Sequence, residues 1–106
     1  MGCSKAMKLS VLSLARDDLK EIRMYLSDYG ERPPQKFRDS FKKFCIQVVD
    51  MPYMFSLCEH NKEYRKAVII FDYVIFYKVD EDKRKILVYR VLHGKRNMRP
   101  LLDSDK

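Results

Sequence analysis

Arg65, Arg90, Lys95, Arg96, Arg99 and His93 are the side chains in this 106-residue chain whose types and spacing could do chemistry. A guanidinium holds a phosphate or carboxylate through two parallel hydrogen bonds, and a lysine ammonium holds it as a point charge. An imidazole titrates near neutral pH and can give or take a proton. Glu63 adds a carboxylate. Such a set could grip an anionic group and move a proton to or from an oxygen, which is phosphate-ester chemistry without a metal. The same cations could instead bind an acidic partner and catalyse nothing. Spacing constrains the choice: on a regular strand Arg90 and His93 have opposite parity and point to opposite faces, unless the chain bends near Leu92. Each residue also has a plain structural use. His93 could cap a strand end ahead of Gly94, and Arg65 and Arg90 could sit in cross-strand charge pairs.

The cysteines argue for no metal and no cofactor. Cys3, Cys45 and Cys58 form no Cys-x-x-Cys pair, and His60 and His93 lie apart from any metal-ligand spacing. An odd count without paired spacing also argues against a disulfide framework and fits a reducing cytoplasm. The chain carries a formal charge of +7, unevenly placed. Residues 1–59 hold ten Lys/Arg against eight Asp/Glu, whereas residues 60–100 hold eleven against five. A basic surplus of this kind suits RNA, DNA or an acidic protein segment. No stretch approaches the ~20 apolar residues of a membrane span, and no apolar core of a secretory signal opens the chain. Met1-Gly2-Cys3-Ser4-Lys5-Ala6 has Ala6 where a myristoylation site wants Ser or Thr, so residues 1–6 read as a disordered extension.

The elements that must position these residues follow from periodicity. Lys8 to Leu14 reads as a short strand. Ala15, Leu19, Ile22, Leu26 and Tyr29 form one helical stripe, with Asp17 and Asp18 expected in the first turn and Gly30 as the stop. Pro33 and Pro34 open a second helix whose Phe37, Phe41, Phe44, Cys45 and Val48 read as core, and Pro52 closes it. After a loop from Tyr53 to Lys62, segments 64–71, 73–79 and 84–92 are rich in β-branched and aromatic residues and predict an antiparallel meander. Asp80-Glu81-Asp82-Lys83 marks one turn, and Phe71-Asp72 a less obvious one without glycine. The expectation is an α+β fold of topology βααβββ: an N-terminal strand and a helical hairpin packed on a curved antiparallel sheet. It forms one domain over residues 7–102, with residues 103–106 as a tail.

Three segments resemble the RelE/ParE toxin superfamily. Ala15-Arg16-Asp17-Asp18-Leu19-Lys20-Glu21-Ile22, following a strand, looks like the opening of ParE-type toxins. Asp72-Tyr73-Val74-Ile75-Phe76-Tyr77-Lys78-Val79-Asp80 is similar to the family's central hairpin strand. Tyr89-Arg90-Val91-Leu92-His93-Gly94-Lys95-Arg96 resembles its most specific segment, where the last strand runs out into a Gly and a basic turn. The resemblance implies a toxin of a type II toxin–antitoxin system, encoded beside an antitoxin that wraps around it. One branch cleaves mRNA in the ribosome; the other poisons DNA gyrase without being a nuclease.

RelE-like nucleases usually carry a tyrosine shortly after the Gly-x-Arg turn. Here that stretch reads Asn97-Met98-Arg99-Pro100-Leu101-Leu102, whose ending is similar to the ParE branch. The leading expectation is therefore a gyrase-directed, non-catalytic toxin with Arg65, Arg90, Lys95, Arg96 and Arg99 as binding residues. A ribosome-dependent mRNA endonuclease, using Arg65, Arg90, His93 and Arg96, is the alternative, and an inactive basic nucleic-acid-binding module is a third reading. The resemblance also implies an acidic antitoxin segment that orders on binding, for which Tyr25, Tyr53 and Phe55 are candidate anchors. A small homo-oligomer and a toxin–antitoxin hetero-oligomer are both left open.

Overall fold

Hydrophobic periodicity changes from 3.6 to 2 along the chain, and the structure follows it. A computed structural model describes residues 7–59 and 61–94. The expectations for residues 1–6, for Lys95, Arg96 and Arg99, and for the tail lie outside the described residues. Strand β1 (Lys8–Val11) leads into helix α1 (Ser13–Ser27) and helix α2 (Arg32–Asp50). Strands β2 (Arg65–Val68), β3 (Tyr73–Asp80) and β4 (Lys85–His93) follow. No described helix is long and apolar enough to cross a membrane.

The four strands form one sheet in the order β1-β4-β3-β2. The meander is antiparallel as expected, and β1 joins its far edge parallel to β4, Leu9 opposite Ile86. That one parallel pair makes the sheet mixed. It arises because the chain leaves β1, crosses through both helices to the opposite edge, and returns by the meander. Both edge strands are four residues long, which limits exposed ladder groups.

Residues of alternate parity on β3 build two cores. Tyr73, Ile75 and Tyr77 join Ile86 and Val88 of β4 beneath Ala15, Ile22 and Leu26 of α1 and Phe37, Phe44 and Val48 of α2. Val74 and Phe76 face the other way and gather Cys58, Tyr64, Leu92 and Tyr89 into a smaller cluster. Phe44 meets Tyr77 edge-on at 5.6 Å, and Phe37 meets Tyr73 at 5.2 Å. Burying each such side chain is worth about 1.5–3 kcal/mol, so the phenylalanine stripe of α2 carries much of the fold. Cys45 is half-buried against the same core.

Some boundaries differ from the sequence reading. The strand stops at Val11 and α1 starts at Ser13, with Leu12 in extended backbone as its N-cap. Asp17 and Asp18 therefore stand in the second turn and do not serve the helix dipole as expected. The helix ends at Ser27, and Gly30, at φ 115°, takes the left-handed turn that leads to α2. Between β2 and β3 the chain turns without glycine: Phe71 and Asp72 hold φ of 61° and 64°. The turn is closed by Ile69 N–H donating to Tyr73 O at 2.8 Å.

Candidate functional site

Helix α1 lies over β4, and between them opens a cleft of about 430 Å³ lined by Asp18, Glu21, Ile22, Tyr25, Tyr73, Arg90, Val91, Leu92 and His93. Ile22 anchors the helix in the core, and Asp18, Glu21 and Tyr25, which follow one another at spacings of three and four residues along one flank, face the strand. Asp18 and Arg90 join the two elements. The guanidinium Nε donates to Asp18 Oδ2 at 2.8 Å and Nη2 donates to Oδ1 at 3.1 Å. Oδ2 also accepts the backbone N–H of Val91 at 3.0 Å. Both side chains are largely buried, 11% exposed for Asp18 and 17% for Arg90. This arrangement is the bidentate, charge-assisted kind that fixes geometry.

Arg90 and His93 both line this cleft although they keep opposite parity. Phe76 of β3 pairs with Arg90, but Tyr77 pairs with Val88, so β4 carries Tyr89 as an extra residue. A bulge of one residue reverses the alternation beyond it. Val88 and Val91 both reach the main core, while Tyr89 and Leu92 reach the outer cluster. The bulge at Tyr89 precedes both Arg90 and His93, which pair with Phe76 and Tyr73 and so keep opposite parity. Arg90 reaches the cleft through its guanidinium's bonds to Asp18, which also accepts the Val91 N–H. The His93 ring rests edge-on against Tyr73 at 5.1 Å. Gly94 follows because nothing larger fits: its N–H donates to Asp72 O at 2.7 Å, and a Cβ would stand 2.8 Å from that oxygen.

Arg65 is not part of the cleft. It sits on β2 with Tyr77 as register partner and donates through Nη1 to Phe55 O at 2.6 Å. Its guanidinium lies 4.9 Å from the Tyr53 ring centre. Tyr53 in turn donates its hydroxyl to Glu81, which holds the phenol above the ordinary tyrosine range. Phe55 packs on Phe44 and Tyr77 and belongs to the core rather than to a free surface. Tyr25, by contrast, is 55% exposed at the cleft mouth, beside Tyr29.

Sequence reasoning missed Asp18 as a partner of Arg90, and it missed a cluster on the face of the sheet away from the helices. There the Lys78 ammonium lies 4.9 Å from the Tyr64 ring centre and 5.3 Å from that of Tyr89, and bonds Glu63 at 3.0 Å. That hydrogen bond holds Lys78 above the ordinary lysine range. Strand parity could have put Lys78 on this face with Phe76; the register that brings Tyr89 and Tyr64 to it was not readable. No group of three or more His, Cys, Asp or Glu capable of holding a metal occurs among the described residues.

Residues 9–98 match the model of the family described as the ParE toxin of the type II toxin–antitoxin system, parDE. The chain belongs to the ParE toxin family. Solved structures of ParE and RelE systems share its fold. The isolated Escherichia coli RelE toxin superposes with a TM-score of 0.63 at 16% identity, covering 94% of this chain and 97% of that one. The chromosomal ParDE system of Pseudomonas aeruginosa gives 0.62 at 15%, covering 87% and 100%. The Mycobacterium tuberculosis RelBE2 complex gives 0.61 at 18%, covering 83% and 98%. No curated protein matches the chain by sequence. The Arg90–Gly94 segment, at the end of β4, lies within the matched residues, and its Arg90 and His93 line the cleft.

Proposed function

We propose that this ParE-family chain is a toxin that arrests growth by acting on DNA gyrase, held inactive by a cognate antitoxin. One observation carries the choice of target. Arg65 and Arg90, two of the cations a phosphate-cleaving centre would need, occupy separate places, and Arg90 is committed to Asp18. A guanidinium already bidentate on a carboxylate is poorly placed to clamp a scissile phosphate. The α1–β4 cleft then serves as a binding surface, with Tyr25 as an exposed aromatic anchor for an acidic antitoxin segment. The chain works without a cofactor.

The test is a supercoiling assay with purified gyrase, run beside translation of a defined mRNA on ribosomes. Loss of supercoiling with intact mRNA is the expected result. Codon-phased cuts in mRNA with supercoiling unaffected would reverse the reading. A ribosome-dependent endonuclease is the second reading, and the Glu63–Lys78–Tyr64–Tyr89 cluster favours it. It sets a carboxylate, a cation, the half-buried Tyr89 ring and the buried Tyr64 ring together on the face of the sheet away from the helices, a pairing of charge and aromatic surface suited to RNA.

A further inference from the structure

The outer seam of the helical hairpin carries a row of cations that neither the cleft nor the core uses. Arg16, Lys20 and Arg23 recur at i, i+4 and i+7 on α1, on the flank turned away from Asp18 and Glu21. Arg38 and Lys42 stand four apart on α2. Arg23 and Arg38 line one depression of about 460 Å³ across the seam, with Ser27, Gly30, Pro34 and Gln35 around them. Because the two helices run antiparallel, Lys20 and Arg16 fall in turn along the same seam toward Lys42. All five cations are exposed. None makes an ion pair or side-chain hydrogen bond with a described residue. Glu31 is the carboxylate that lines the depression, at its end.

This pattern works against helix stability. Arg16 with Lys20 and Arg38 with Lys42 are like-charged pairs at i, i+4, which repel. Asp17 and Asp39 stand three residues before Lys20 and Lys42, whereas Glu21 lies on the cleft flank of α1. A purely solvated helix face gains from mixed signs; a row of one sign gains from a polyanion. Met24 and Ile46 are exposed one turn from Lys20 and Lys42, but the depression itself is lined by no large apolar side chain, and its floor is Ser, Gly, Pro and Gln. A peptide partner draws its affinity from buried aromatic and aliphatic anchors, whereas a phosphate backbone needs only charge and small polar donors.

We propose that the outer seam of the helical hairpin, Arg16, Lys20, Arg23, Arg38 and Lys42, binds the phosphate backbone of double-stranded nucleic acid without reading its sequence. The seam lies on the flank of α1 opposite the cleft, so a ligand in the cleft leaves it open. Binding rests on release of counterions, and its affinity falls steeply with salt.

The experiment measures binding of the full chain to a short mixed-sequence duplex by fluorescence anisotropy across a salt series. Three proteins are compared: the wild type, Arg23→Gln/Arg38→Gln, and the charge-matched control Lys62→Gln/Lys83→Gln. Circular dichroism confirms that all three fold, as exposed substitutions allow. The hairpin variant should bind on the order of tenfold more weakly per removed charge at low salt. Its log–log salt slope should be shallower by about 1.8 for duplex DNA, while the control stays near wild type. Duplex DNA and duplex RNA are separate arms: a hairpin-specific loss in either supports the proposal and names the source of the phosphates. Equal loss in the hairpin and control variants, or loss confined to a polyglutamate probe with both duplexes unaffected, overturns it.

Discussion

Asp18 is the residue on which the cleft turns. Its two oxygens bind the Arg90 guanidinium and the Val91 N–H together, so removing it breaks a bidentate ion pair and a backbone hydrogen bond in a largely buried place. Asp18→Ala should cost about 2–3 kcal/mol of stability, read from urea unfolding, because breaking a largely buried, charge-assisted pair from one side is expensive. An unchanged midpoint would mean that the pair is a surface contact of little worth. Two other residues respond to pH through burial. Tyr77, fully buried with its hydroxyl donating to Pro52 O at 2.9 Å, has its phenol pushed up to about 12 from the ordinary 10.0. The unfolded chain ionises this group first. Its contribution is therefore whole below pH 10 and lost as pH rises toward 12. Tyr77→Phe should flatten the alkaline fall in stability across that window, seen by thermal melts at stepped pH. Burial likewise pushes the Cys45 thiol up to about 11. Native protein should therefore alkylate at Cys45 far more slowly than the denaturant-unfolded chain, as followed by mass spectrometry of its peptide.

Strand β4 shows what an element adds beyond its residues. One extra residue, Tyr89, lets Val88 and Val91 both face the main core while Leu92 stays with the outer cluster, and the Arg90 guanidinium reaches Asp18 of α1. The strand then ends where Gly94 passes under the Phe71–Asp72 turn. That turn is itself held in the left-handed region, so Asp72 O has little room to retreat from a new Cβ at 2.8 Å. Gly94→Ala should destabilise by about 1–3 kcal/mol, the usual cost of forcing an atom into an occupied place. Calorimetry checks this, and a melting temperature equal to wild type would show that the turn yields. The helices have a simpler logic: prolines in the first turn of α2 and apolar stripes on both helices suffice to place them, which is why their existence was legible.

At the scale of the molecule, the helical pair divides the surface into two sides. One side is the α1–β4 cleft with Tyr25 at its mouth; the other is the cationic outer seam. A cognate antitoxin bound in the cleft at a hundred times its dissociation constant should stabilise the toxin by about 2.7 kcal/mol. Tyr25→Ala should weaken that binding by about 2 kcal/mol, the size of an aromatic hot spot, while leaving the fold intact because the ring is more than half exposed. Titration calorimetry with the antitoxin measures both wild type and variant. Full affinity in Tyr25→Ala would remove the residue from the interface.

Local pattern alone settled the order of elements, the phenylalanine core of α2, the two faces of β3 and the family resemblance of the Arg90–Gly94 segment. These depend on periods of 3.6 and 2 and on turn chemistry, which a sequence carries residue by residue. The pairing of Asp18 with Arg90, the placement of Arg65 away from the cleft, the Lys78 cluster and the parallel edge strand β1 were decided by tertiary structure. Each depends on strand register or on contacts between residues far apart in the chain. Arg90 and His93 both lie beyond the bulge and keep opposite parity; the guanidinium of Arg90 enters the cleft by bonding Asp18 of α1, a contact that no count along β4 could have shown.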